Sequence, residues 1–206
     1  MVSQMLKLPK STELNKFLPK KTIYEKFMLN TQEKDRFDSD VKKIVIINEI
    51  SPITINIPKG DQVDSIFVMH VQLKKEMFND KNIILISKLI DQKMIFLLEY
   101  MEQFKLAIYH HKLQQSNWAS KEDTQIVIKG LSLDDVWGSL IIKVSGIELK
   151  NNKSIDEQIR LNETKVRLEK QIDSIERQAR SEKQPKKKFE LVEHVNRLKM
   201  EMERLN

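Results

Sequence analysis

The sequence predicts an α+β domain over residues 1–150, built on a mixed β-sheet with flanking helices, followed over residues 151–206 by an antiparallel helical hairpin or coiled coil. Three observations carry this reading. Residues 151–206 hold 25 charged residues in 56, with no glycine and a single proline, Pro185, against 41 charges in the first 150 residues. Apolar residues in the tail recur at helical spacing, whereas those of the first 150 switch between helical and alternating patterns. The order of those patterns is helix, strands, helix, further strands, as in α+β or α/β folds with a mixed sheet.

Taken in order, Ser11 and Thr12 are placed to cap a short helix towards Leu18, stopped by Pro19. Pro19 opens a second helix containing Ile23, Tyr24 and Phe27, and Asn30 or Thr31 caps a third, TQEKDRFDSD. Val41–Ile50 is rich in β-branched residues and reads as a strand, Ile53–Ile57 alternates as another, and Lys59-Gly60-Asp61 forms a turn into the alternating run Val63–Leu73. Asn79-Asp80 opens a helix to Asp91. Met94–Tyr100 and Phe104–Tyr109 form a hairpin about Met101-Glu102-Gln103. Gln125–Ile128 reads as a short strand, and Asp134 caps a helix from Asp135 to about Val144.

In the tail, Leu161, Leu168, Ile172, Ile175 and Ala179 fall on one helical stripe, prefixed by Ile155 and Ile159 in a slightly shifted register. Leu191, Val195, Leu198, Met202 and Leu205 make a second stripe beyond Pro185, which cannot continue a helix without losing a hydrogen bond. Two such stripes joined by a breaker fold back as a hairpin. An extended coiled coil, self-associating through residues 155–205, is the alternative.

Composition excludes much chemistry. Cysteine is absent, which removes disulfides, thiolate metal sites and cysteine nucleophiles, and four glycines leave no phosphate-cradling loop. MVSQMLKLPK has no signal-like apolar core, and the longest apolar run, about Met94 to Leu98, is far below the roughly 20 residues of a membrane span. A cytoplasmic location is expected. The formal charge of +6 is compatible with nucleic acid without identifying it.

Two sets of residues stand out. Helix, three strands ending in Gln72-Leu73-Lys74, helix and strand is the element order of the restriction-endonuclease-like core. There, carboxylates hold Mg²⁺ and a lysine steadies the attacking water or the phosphate. Gln72 and Lys74 would share a strand face, with Asp64, Glu49 or Asp61 as the acid. Gln72 is a weak Mg²⁺ ligand, and the plainer reading is the wet face of a strand, with neither enzyme activity nor cofactor. The second set is Lys186, Lys187 and Lys188 with Arg180 and Lys183, a basic cluster at the hairpin turn suited to phosphates or to a partner. Of the histidines, only His110 and His111 are close together. Adjacent strand residues point to opposite faces, so they are not expected to share a metal, and His70 reads as a packed or surface residue.

Leu8–Lys16 (LPKSTELNK) with Pro19-Lys20-Lys21, the segments Ile95–Ile108 and Gly130–Trp137, Trp118, and Ala179–Val192 (ARSEKQPKKKFELV) together resemble the bacterial family called domain of unknown function 4391. The resemblance covers nearly the whole chain. It implies a gene commonly found beside DNA methyltransferases and superfamily-two helicases, in restriction-modification or anti-phage defence clusters. The expected role is a non-catalytic accessory subunit of such a complex, with a helicase or methyltransferase as partner and DNA as a further one. The resemblance also implies Glu in many relatives at the position of Gln72, which argues further against metal-dependent cleavage here.

Overall fold

Six strands form one mixed sheet in the order β1-β2-β3-β4-β5-β6: β1 (Glu13–Phe17), β2 (Val41–Ile50), β3 (Ile66–Leu73), β4 (Lys93–Tyr100), β5 (Gln103–His110) and β6 (Lys112–Gln115). All neighbours are antiparallel except β3 and β4, which run parallel. This is a computed structural model, and it describes residues 5–147 and 154–205. The chain divides into two compact units, Met1–Gly146 and Ile147–Asn206.

The parallel pair dictates the layering, because two parallel neighbours need a crossover rather than a hairpin. Helix α4 (Asp80–Ser87) supplies it. Its Ile83 and Ile86 join Ile23 of α1 (Lys20–Lys26) and Phe37 of α2 (Thr31–Asp40) over Ile44, Met69, Val71, Phe96 and Leu98 of the sheet. Helix α5 (Leu133–Ser145) buries Leu133, Val136, Leu140, Ile141 and Val144 and packs on β5 and β6. Met94 to Leu98 are all buried, as in a strand covered on both faces. Capping boxes start α2 (Asn30 with Glu33) and α5 (Ser132 with Asp135).

Several sequence expectations are corrected. The helix expected from Ser11 towards Leu18 is one 3₁₀ turn, Lys10–Thr12, followed by β1. Buried Thr12 accepts a hydrogen bond from the Asn48 side chain at 2.7 Å, and pairing with the edge of β2 overrides the local helix signal. Ile53–Ile57 is not a strand. Pro52 at the first helical position and the Ser51–Thr54 capping box start a single turn, α3 (Pro52–Ile55), which left-handed Asn56 ends. The chain therefore does not have the helix-strand-strand-strand-helix-strand order of a nuclease-like core. Helix α4 ends at Ser87 rather than near Asp91, closed by the Lys88 and Leu89 N–H groups donating to Leu85 and Ile86. Gln125–Ile128 does not enter the sheet, and Ser132, not Asp134, caps α5.

In the second unit, α6 (Ile155–Ser181) and α7 (Pro185–Arg204) pack against each other. Only three residues join them, so they run antiparallel and the extended coiled coil is not what this chain adopts. Leu168, Ile172, Ala179 and Val195 are buried in the seam, and Lys199 of α7 bonds to Glu176 of α6 at 2.8 Å. Among the described residues no helix is long and apolar enough to cross a membrane.

Candidate functional site

The hairpin turn is the most strongly charged local feature. Arg180, Lys183, Lys186, Lys187 and Lys188 are all exposed, with only Glu182 opposing them within residues 180–188. Arg180 lies 3.8 Å from Glu176, but among the described residues Lys183, Lys186, Lys187 and Lys188 have no carboxylate partner. The three consecutive lysines occupy the first turn of α7, where the helix dipole is positive and acidic residues are favoured. By contrast, α2, α4, α5 and α6 each carry an acid there. Gln184 at the N-cap makes no capping hydrogen bond from its side chain, so backbone N–H groups at this end are left for an outside acceptor. A groove of about 910 Å³ at the turn is lined by Lys183 and Lys187, by Glu182 and Glu190, and also by His194 and Arg197, which the sequence reading did not single out. Phe189 stands 65% exposed beside the lysines.

A second concentration of polar groups lies at the carboxyl ends of the parallel strands β3 and β4, the kind of place where α/β sheets gather binding residues. Here His70 Nε2 meets Glu99 Oε2 at 2.5 Å, and the Gln72 amide donates to the same oxygen at 3.3 Å. Burial of the imidazole outweighs the attraction of Glu99 and, helped by nearby Lys43, holds the His70 pKa below its ordinary value. His70 is therefore neutral at neutral pH, and its N–H donates to the carboxylate. Pairing of Gln72 with Glu99 across the two strands makes the cluster, and that register cannot be read from either strand alone.

At the same end, Asp38 accepts from Lys20 at 2.6 Å and from the Tyr24 hydroxyl at 2.7 Å. Asp40, 1% exposed, is held by Lys75, by the Asn79 N–H and by the Asn82 amide. Burial pushes both carboxyl groups up, but these donors prevail and hold them below the usual range, while the Tyr24 hydroxyl is pushed upwards. Every one of these contacts is internal, joining α1 and α2 to the sheet and to the start of α4.

The structure does not assemble the nuclease alternative. Gln72 is engaged with Glu99, and Lys74 lies beyond the end of β3, where its charge acts on Asp38. Asp64 precedes the start of β3, whose first residue, Ile66, lies about 20 Å from Gln72 at a strand's rise per residue. Glu49 pairs with Phe67, near that same far end, and Asp61 is held there too, its N–H donating to the Asp134 carboxylate at 2.8 Å. These residues do not form a Mg²⁺ ligand set. The histidine expectation also changes in detail: His111 has a left-handed φ of 58°, so its ring meets that of His110 at 4.5 Å instead of pointing away.

No curated protein and no solved structure matches the chain. The family model described as Domain of unknown function (DUF4391) matches residues 6–202, nearly its whole length. The chain belongs to this family.

Proposed function

We propose that the protein is a non-catalytic accessory subunit of a bacterial DNA-modification or anti-phage defence complex, acting in the cytoplasm. In this reading the sheet unit docks on a helicase or methyltransferase partner, and the hairpin turn contacts nucleic acid. The carrying observation is the run Lys186–Lys188 in the first turn of α7: exposed, unpaired and set against the helix dipole. Lysines there weaken the helix end, and a phosphate seated on the same turn would convert that cost into binding. Exposed Phe189 offers a face on which a base can stack, and Arg180, Lys183 and Arg197 extend the positive surface.

The test is reconstitution with a candidate DNA methyltransferase and a candidate helicase, followed by sedimentation with and without duplex DNA. The expected outcome is a stable complex that retains DNA, with retention lost on changing Lys186, Lys187 and Lys188 to Gln. A chain that sediments as a free monomer with no partner and no DNA would overturn the proposal.

A further inference from the structure

A cavity of about 380 Å³ opens at the opposite end of the sheet, where β4 begins and β5 ends. The topology brings four elements to it. Lys26 closes α1 and donates through Nζ to the Leu89 carbonyl, clasping the connection from α4. That connection contributes Lys88, Asp91 and Lys93. The β4–β5 register brings Tyr109 alongside, and α5 supplies Trp137.

The chemistry of the lining is uneven. Lys26, Lys88 and Lys93 face a single carboxylate, Asp91, and among the described residues none of these lysines is ion-paired. The Lys88 ammonium lies 5.5 Å from the centre of the Tyr109 ring. Trp137, 6% exposed, forms part of the wall. Excess positive charge and two aromatic side chains ask for an anion attached to a flat ring, and the volume lies within the range of small-molecule sites, roughly 300–1,000 Å³.

We propose that this cavity binds a small phosphomonoester bearing an aromatic ring, such as a nucleoside monophosphate. The phosphate pairs with Lys26, Lys88 and Lys93, and the ring lies against Tyr109 and the wall at Trp137. This inference is independent of the hairpin turn, which belongs to the other unit.

The experiment uses the full chain carrying Trp118→Phe, which leaves Trp137 as the only indole, titrated with adenosine 5′-monophosphate while its fluorescence is followed. A saturable change is expected, with half-saturation below about 1 mM, and binding at least about tenfold weaker after Lys88→Gln with Lys93→Gln. Inorganic phosphate and adenosine, titrated separately, are each expected to bind at least about tenfold more weakly than the nucleotide. Circular dichroism of the lysine variant establishes that it is folded. The proposal is overturned by no saturable change with the nucleotide, by affinity unaltered in the folded lysine variant, or by inorganic phosphate or adenosine binding as tightly as the nucleotide.

Discussion

Gly130 and Gly146 on one side and His70 on the other separate conformational from electrostatic control of stability. Gly130 has φ +145°, and a Cβ there would lie 2.4 Å from that of Asp135 and 2.8 Å from the Val136 nitrogen. Both backbone strain and a backbone clash therefore oppose any side chain. Gly146, the left-handed end of α5, has nothing within 4 Å of its would-be Cβ. Chemical denaturation is expected to show Gly130→Ala costing about 1–3 kcal/mol and Gly146→Ala clearly less. Equal losses would refute the clash. His70 tests the second kind of control. Its pKa is below the ordinary 6.5 in the folded protein, so the unfolded chain takes up the proton first as pH falls. Stability from this group is fully present above about pH 6.5 and is lost as pH falls below it, towards the lower folded pKa. His70→Gln is expected to flatten the fall in melting temperature between about pH 7.5 and about pH 5.5; an unchanged slope would contradict the assignment of His70 as neutral and buried.

The helical hairpin shows at the scale of elements how stability and binding can be opposed. Its seam is ordinary packing: Ile172→Ala, at a residue 6% exposed, is expected to cost about 2–4 kcal/mol in the unfolding of this unit. Its turn is different. Lys187→Glu places an acid at the third position of α7, where the dipole and the free N–H groups favour it. Melting should therefore rise or stay level while DNA retention falls, and a drop in both would mean that the lysine serves the fold. Legibility also divides by element. Both tail stripes and the breaker at Pro185 were plain in the sequence, because helical period and a missing N–H are local properties. Val41–Ile50 and the β4–β5 hairpin were equally plain from β-branched content and alternation. Ile53–Ile57 and Ser11–Leu18 depart from their local patterns because short segments take their state from neighbours: a Pro52 start and an Asn56 stop in one case, the open edge of β2 in the other. The hairpin lysines were legible as a run in sequence. Glu99 was not, since its partners His70 and Gln72 reach it only through the parallel register of β3 with β4.

Across the whole molecule, charge and apolar content are divided between two units of different character. The first carries the two-faced sheet; residues 151–206, most of the second, carry 25 of the 66 acidic and basic residues. Net charge does not distinguish them as nucleic-acid surfaces, because the first 150 residues and the last 56 each sum to +3 (22 − 19 and 14 − 11). What distinguishes the second is local arrangement, five cations around one turn with one carboxylate among them. Contact of this turn with phosphates is the proposal, and counterion release tests it directly. Affinity of the full chain for duplex DNA, measured against salt concentration, should follow a straight line in logarithmic form. Replacing Lys186, Lys187 and Lys188 by Gln should weaken binding and make that slope shallower by about 2–3, near 0.9 for each lost phosphate contact. An unchanged slope and affinity in the folded triple variant would contradict the claim.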